Sequence, residues 1–262
     1  MTNSRREFLK IATATAAGAR LAISATEPTL GLIFPPANYE IPPEYRRMYP
    51  TGVQFVGIGV GLPAMTPEGY DSVIDKIVPT AIELKKRGAQ AISIMGTSLT
   101  FYKGEAFNQK LRDAVTKASG LKATTMSNGV IDGLKAVGAK RVAVATAYND
   151  DVNERLHAFL IEHGLEPLVV KGLGIEAMTD VDKVTQNDLI EFGARVRALA
   201  PDADSLLVSC GGFRTLEIIA PLEAKTGVPV ISSMPHGLWA GARLVGMNGS
   251  APGYGKLLSR GA

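Results

Sequence analysis

The sequence predicts an α/β protein of two similar lobes, each a parallel β-sheet flanked by helices, related by a pseudo-twofold axis. Strand-like runs alternate with helical patterns along the chain, which is typical of parallel sheets with helices outside. Aromatic residues make up only 6% of the 262 residues, which suits buried parallel strands better than a β-sandwich. Two blocks of the first half also recur in the second.

Short apolar runs bounded by turn residues predict eight strands. They are Thr29–Phe34, Val53–Ile58, Ala91–Met95, Ala123–Thr125, Arg141–Thr146, Pro167–Val170, Ser205–Ser209 and Val228–Ser232. The spacing of apolar residues between them predicts helices. The main ones are Tyr70–Arg87, Glu105–Ala118, Val130–Val137, Asp151–Glu162 and Gln186–Ala198.

The internal repeat joins two pairs of segments. Ala91–Ser98 has the same build as Ser205–Gly212, an apolar strand that opens into a turn of small residues. Thr124–Gly129 resembles Ser232–Gly237, and the two offsets are 114 and 108 residues. Chance similarity between βα units is the alternative to a true repeat of this length.

A true repeat makes Gly96 and Cys210 equivalent positions, each at the carboxyl end of a strand. Open α/β sheets bind ligands at that end. We therefore expect Gly96 and Cys210 to face one another across the cleft between the lobes.

Residues 1–25 are predicted to be an export signal. Arg5 and Arg6 precede Phe-Leu-Lys, a weakly apolar stretch follows to Ala25, and Arg20 lies late in the segment. This pattern resembles a twin-arginine signal, which implies the twin-arginine export machinery as a partner and the bacterial periplasm as the location. A frayed N-terminal helix is the alternative. No later apolar run approaches 18 residues, so no membrane span is expected once the signal is removed.

After the signal, we place the first lobe at residues 26–125, completed by about 233–262, and the second at 126–232. The net charge of +3 comes from the first 25 residues, because 24 basic and 24 acidic residues remain without them. Nucleic-acid binding needs a basic face on the folded domain and is not expected here. A single Cys excludes an intramolecular disulfide and a cysteine-cluster metal site.

Cys210 is the strongest catalytic candidate. It follows an apolar strand and precedes Gly211 and Gly212, which let the backbone turn sharply and direct N–H groups at an anion. A thiol beside such a turn can act as an acid or a base. A buried structural cysteine is the alternative.

Gly96, Thr97, Ser98 and Thr100 form the matching turn of the first lobe. Their hydroxyl and N–H groups suit a carboxylate without a charged partner, and capping of a helix is the alternative. Tyr148 follows the first strand of the second lobe, where its phenol can hydrogen-bond a ligand, although an isolated Tyr is a weak signal.

Neither a cofactor nor a metal is predicted. The segment Gly57–Leu62 has Leu where the third Gly of a dinucleotide-binding turn belongs. His157, His163 and His236 lack the spacing of metal ligands, and acidic residues at Asp150 and Asp151 are more typical of a helix start.

Several blocks together resemble the arylmalonate decarboxylase family. They are Met95–Tyr102, Ala145–Tyr148 with Asp150–Leu156, and Ser209–Gly212. Shorter matches extend the resemblance over nearly all of the mature chain, at Pro35-Pro36, Thr66–Asp71 and Pro252–Gly255. That family belongs to the aspartate/glutamate racemase superfamily, in which two similar α/β lobes enclose the site.

The resemblance implies a cofactor-independent decarboxylase that converts a disubstituted aryl or alkenyl malonate to a chiral monocarboxylic acid and CO2. One carboxylate of this small dicarboxylate is expected in a hydrogen-bonding pocket of Thr97, Ser98, Tyr148, Gly211 and Gly212. The other is expected in an apolar pocket near Pro35, Leu62, Met65 and Met178. Cys210 then protonates the resulting carbanion from one face.

Two other functions stay open. Racemases of this superfamily use a cysteine on each lobe, and maleate isomerases share the first-lobe cysteine, whereas this chain has Gly96 there and a single thiol. A periplasmic carboxylate-binding protein also has an export signal and two α/β lobes around its ligand, but it requires no thiol at a strand end.

Two departures from the family pattern concern the substrate. The segment Gly174–Met178 is about three residues shorter than its counterpart, which removes part of an apolar wall. Arg214 stands four residues after Cys210 where an apolar residue is expected, so it either recruits an acidic substrate or is simply solvated.

Overall fold

Two separate four-stranded parallel sheets form the centre of the computed structural model, which describes residues 27–37 and 40–261. The strands of the first sheet are β1 (Thr29–Phe34), β2 (Gln54–Gly59), β3 (Ala91–Ile94) and β4 (Lys122–Thr125). Those of the second are β5 (Arg141–Thr146), β6 (Glu166–Gly172), β7 (Ser205–Ser209) and β8 (Val230–Ser232). All eight predicted strands are confirmed, with ends that differ by two residues at most.

The strand order shows that the second sheet repeats the first. The orders are β2-β1-β3-β4 and β6-β5-β7-β8, so each strand of the second sheet occupies the place of the strand four earlier. The central strands β1, β3, β5 and β7 are almost entirely buried, as expected when helices cover both faces of a parallel sheet. The predicted pair of similar α/β lobes is therefore confirmed.

Twelve α-helices surround the sheets in the described part of the chain. They are α1 (Pro43–Met48), α2 (Pro67–Asp71), α3 (Ile77–Lys86), α4 (Thr97–Phe101), α5 (Gly104–Ser119), α6 (Met126–Ala136), α7 (Asp150–Glu162), α8 (Met178–Val181), α9 (Gln186–Ala198), α10 (Ile219–Thr226), α11 (Ser233–Leu244) and α12 (Lys256–Arg260). None of these helices is both long and apolar enough to cross a membrane. The predicted export signal lies outside the described residues.

The single helix predicted at Tyr70–Arg87 is wrong, because the structure divides it into α2, a 3₁₀ turn and α3. Pro79 has no N–H to donate, and its ring would clash with the carbonyl four residues earlier in a continuous helix. The same residue is tolerated in the first turn of α3, where the N–H groups have no partner within the helix. The Ser72 hydroxyl donates to the carbonyl of Gly69 at 2.6 Å where α2 ends.

Helix α11 was not predicted, and tertiary packing explains why it forms. It contains Pro235, Gly237 and Gly241, which lower helix propensity. Residues 233–242 are nevertheless all buried, against α6 and against β3 and β4 of the first sheet. Burial of one complete helix outweighs its weak intrinsic preference.

Helices α6 and α11 approach so closely that their contact requires glycine. A Cβ on Gly129 would lie 2.4 Å from the carbonyl oxygen of His236, and one on Gly237 would lie 2.8 Å from Cγ of Met126. This contact carries the chain from the second sheet back onto the first. It also brings Met126, at the start of α6, between the turns that follow β3 and β7.

Candidate active site

The turns that follow β3 and β7 meet between the two sheets. Gly96 immediately precedes α4, and Cys210 immediately follows β7. A Cβ on Gly211 would lie 3.4 Å from the carbonyl oxygen of Met95, so a single added carbon atom would bring the two turns into contact. The repeated carboxyl ends of β3 and β7 thus form the two sides of one cavity.

Most of the predicted site residues line this cavity. Ten of them do so: Pro35, Leu62, Met65, Gly96, Thr97, Ser98, Met178, Cys210, Gly211 and Gly212. The cavity is narrow, with a volume of about 30 Å³.

Four lining residues were not predicted to bind substrate: Phe34, Pro36, Tyr45 and Met95. Phe34 and Met95 end or follow the strands β1 and β3, so the rule that ligands bind at carboxyl ends of strands would have found them. Tyr45 lies on the short helix α1, and no motif in the sequence directs it towards the site.

The Cys210 thiol is protonated at neutral pH because it is buried. Desolvation raises its pKa to about 11, against the smaller lowering effect of the N–H groups of Gly212 and Phe213. The residue is only 2% exposed, and no charged side chain lines the cavity within the described residues. A neutral thiol of this kind is a proton donor rather than a nucleophile.

The first-lobe turn is held from behind by hydroxyl groups. Thr100 donates to the carbonyl oxygen of Gly96 at 3.0 Å, and Ser127 donates to that of Thr97 at 2.9 Å. Thr100 therefore supports the turn. It does not line the cavity, although its hydroxyl was grouped with those expected to suit a carboxylate. The Thr97 hydroxyl donates to the sulfur of Met126 at 3.0 Å.

Tyr148 lies behind the cavity lining. Its hydroxyl is 3.4 Å from Oγ of Ser209, and its ring makes an edge contact with Phe101 at 5.8 Å between centroids. Burial, and then the neighbouring Cys210, raise the pKa of Tyr148 well above its usual value, while Ser209 and Thr97 lower it less. The phenol therefore stays protonated and can donate a hydrogen bond.

Tyr70 is a buried hydroxyl near the site that sequence reasoning missed. The hydroxyl makes no hydrogen bond to any residue that the structure describes. Burial raises the pKa of Tyr70, against a smaller lowering effect of the nearby Ser98 hydroxyl. The sequence did not indicate that Tyr70 lies near the site, because Tyr70 was predicted to begin a long helix that ends at Arg87, whereas it lies at the end of α2.

The segment Gly174–Met178 joins the two lobes beside the cavity. The N–H of Met65 donates to the carbonyl oxygen of Glu176 at 2.9 Å, and Asn149 donates to the Glu176 carboxylate at 2.6 Å. The N–H of Ile175 donates to the carbonyl oxygen of Ala147 at 2.7 Å. Main-chain contacts from both lobes thus fix the wall that carries Met178.

Arg214 lies outside the cavity. Its side chain is 60% exposed and stands 3.5 Å from the carboxylate of Glu44, a residue of α1 that is only 2% exposed. The two line a neighbouring groove that shares Gly211 and Gly212 with the cavity. Arg214 therefore pairs with a buried acid and does not touch the space where we place the substrate.

Other features of the molecule lie away from this cavity. A cleft of about 920 Å³ surrounds Trp239 and Arg243 and includes none of the predicted site residues. His236 is buried within α11, and desolvation lowers its pKa to about 4. No group of three His, Cys, Asp or Glu side chains suited to a metal ion occurs in residues 27–37 and 40–261.

Comparison with known proteins places this geometry among its relatives. The family model described as arylmalonate decarboxylase matches residues 30–258. A curated arylmalonate decarboxylase from Bordetella bronchiseptica is 50% identical over 237 residues, which cover 89% of this chain and 97% of the relative.

Solved structures agree in fold. A liganded arylmalonate decarboxylase, in which one Gly was changed to Cys and one Cys to Ser, superposes with a TM-score of 0.87 at 47% identity, covering 89% of this chain and 99% of that one. A maleate cis-trans isomerase from Nocardia farcinica, with a covalently bound succinylcysteine intermediate, gives a TM-score of 0.82 at 20% identity over 90% of this chain and 99% of that one. The second likeness extends to the fold alone.

The ionisation of Cys210 provides a direct test of the site's electrostatics. Since burial raises the pKa to about 11, less than half of the thiol should be ionised at about pH 10. The measurement is the ultraviolet absorbance of the thiolate, taken as the difference between the protein and its Cys210→Ser variant across a pH titration. A thiolate signal already complete at neutral pH would contradict the desolvated, uncharged surroundings described above.

Proposed function

The chain belongs to the arylmalonate decarboxylase family, and from this premise we propose that Cys210 is the face-selective proton donor in the decarboxylation of a disubstituted aryl or alkenyl malonate. Membership of the family makes the protein a carboxy-lyase. The observation that carries the proposal is one buried, protonated thiol on one side of a cavity lined by no charged side chain of the described chain, with Gly96 on the other side.

The retained carboxylate would lie against Thr97, Ser98 and the N–H groups of the Cys210 turn, with Tyr148 behind them. These donors are neutral and fixed in place before the reaction. Donors of this kind stabilise negative charge as it develops in a water-excluded site, without reorganisation. They would therefore favour the enediolate more than the starting carboxylate.

The departing carboxylate would lie against the apolar wall made by Pro35, Leu62, Met65 and Met178. A carboxylate is poorly solvated there, and loss of CO2 removes its charge. The carbon–carbon bond breaks and its electron pair moves into the enediolate of the retained carboxylate. The Cys210 thiol then gives its proton to the α-carbon and becomes a thiolate, which water reprotonates.

The two faces of the planar enediolate would differ because only one lobe carries an acid. In the solved double mutant of the family, the substituted Gly and Cys lie as far apart in sequence as Gly96 and Cys210 do here, 114 residues. This correspondence supports the assignment of Gly96 and Cys210 as the paired positions. Protonation from the Cys210 side alone would give one enantiomer of the monocarboxylic acid.

The alternatives have less support. Chemistry with two thiols needs a second cysteine, and the sequence contains only Cys210. A carboxylate-binding protein without activity does not agree with membership of a decarboxylase family.

We also propose that the protein is exported to the periplasm by its paired Arg5 and Arg6. The full-length protein, expressed in a bacterium with a twin-arginine pathway, should appear in the periplasmic fraction. Arg5→Lys with Arg6→Lys should retain it in the cytoplasm, since paired arginines are the distinguishing feature of such signals. Equal export of both proteins would contradict the proposal.

Removal of the thiol tests the reaction. The wild-type protein should release CO2 from phenylmalonate and methyl-phenylmalonate, with the same rate in EDTA. Cys210→Ala should lower product formation by about 10²–10⁴-fold, the range for loss of a positioned general acid. Thermal unfolding followed by circular dichroism serves as the control for folding. Turnover close to wild type in a folded variant would overturn the role of Cys210.

Moving the thiol tests the facing arrangement. Gly96→Cys with Cys210→Ser should give the opposite enantiomer of the product acid, because the acid then stands on the other face. The rate should be reduced, since a Cβ at position 96 would lie 2.8 Å from Cγ of Pro35 and the ring must shift. Chiral chromatography of the product decides the outcome. The parent enantiomer from an active double variant would show that the two positions do not face one another.

A further inference from the structure

Met126 contacts both anion-binding turns of the proposed site. It is the first residue of α6 and is fully buried. Its sulfur accepts a hydrogen bond from the Thr97 hydroxyl at 3.0 Å, and a Cβ on Gly211 would lie 2.9 Å from the same sulfur. One thioether thus lies between the turn after β3 and the turn after β7.

A thioether is a weak hydrogen-bond acceptor, whereas a carboxylate is a strong one. Burial of a hydroxyl with no acceptor costs free energy. A hydroxyl that donates to a strong internal acceptor must break that bond before it donates to a ligand, which weakens ligand binding. The Thr97 hydroxyl has a single proton to donate. It lies beside the Met126 sulfur and the Tyr148 phenol, so an incoming anion competes with these neighbours for its hydrogen bond. The sulfur satisfies the hydroxyl only weakly.

We propose that Met126 is a positioning residue that holds the Thr97 hydroxyl in place until this hydroxyl donates its hydrogen bond to the substrate carboxylate instead. The inference rests on the proposed function, in which Thr97 binds the retained carboxylate. The hydrogen bond from the Thr97 hydroxyl to the sulfur is weak. Replacement of this bond by a charge-assisted hydrogen bond to the substrate therefore favours the developing enediolate. Neither Thr97 nor Gly211 needs to change its backbone position.

A purely structural role is the alternative, because Met126 also fills the space beside Gly211 and Gly237. The two roles differ in their dependence on the Thr97 hydroxyl. If Met126 only fills space, its replacement has the same effect whether or not that hydroxyl is present. If it positions the hydroxyl, the effect disappears when the hydroxyl is removed.

A double-mutant cycle between Met126→Leu and Thr97→Val separates these roles. Met126→Leu keeps an apolar core side chain of similar size, and Thr97→Val replaces the hydroxyl with a methyl group of similar size. Thr97→Val should lower kcat on phenylmalonate by about 100-fold, as for the loss of one oxyanion donor. Met126→Leu should lower kcat by about fivefold when Thr97 is present, and by less than about twofold in Thr97→Val. Equal factors in the two backgrounds would overturn the proposal.

Met126→Gln adds a test of direction, because its amide oxygen is a strong acceptor in place of a weak one. It should lower kcat further than Met126→Leu, and only when Thr97 is present. If Met126→Gln does not fold, the cycle with Leu decides alone. Met48→Leu, a buried Met→Leu change on α1 away from the cavity lining, controls for loss of a core sulfur.

Failure of the proposed function is distinguishable from failure of this inference. If the wild-type protein releases no CO2 from phenylmalonate, the substrate assignment is wrong. The same cycle is then measured as the Kd for benzylphosphonate, a stable dianion with an aryl group, by calorimetry. Loss of the Met126→Leu effect in Thr97→Val would support the positioning role, and equal effects in both backgrounds would overturn it.

Discussion

Burial of the Cys210 thiol away from any charged group is the constraint on which the rest of the site depends. A lysine or histidine beside it would lower the thiol pKa and produce a nucleophile instead of a proton donor. In the proposed reaction, the cavity would therefore stabilise an anion with neutral groups alone. Thr97, Ser98, Tyr148 and the main-chain N–H groups would meet this requirement, because hydroxyl and amide donors gain strength when water is excluded.

The fold could be predicted to the extent that it follows from local patterns. Apolar strands bounded by small residues located both sheets, and the internal repeat predicted their equivalence, which the strand orders confirm. Tyr70–Arg87 and α11 show where local patterns fail. In Tyr70–Arg87, the helical spacing of apolar residues continues past Pro79, but one continuous helix cannot form there because proline lacks an N–H group. In the second, a segment with poor helix propensity becomes helical because two lobes enclose it.

Much of the cavity could be predicted because its residues occupy ends of strands, where topology alone brings Thr97 and Cys210 together. Residues that reach the cavity from elsewhere could not be found in this way. Tyr45 arrives on a short helix, and Tyr70 lies on a helix whose end was misplaced. Met126 was visible only as one member of a repeated block, since its contact with Thr97 depends on how α6 packs against the other lobe.

The hydrogen bond from the N–H of Met65 to the carbonyl of Glu176 joins the lobes through backbone atoms alone. This hydrogen bond therefore does not depend on the side chain at either position, provided that the donor residue, Met65, is not replaced by proline. Substitutions at Met65 or Met178 can then change the size of the apolar wall, while the hydrogen bond between the lobes remains. Substitutions that change the wall can therefore alter the space beside it without loss of this backbone contact between the lobes.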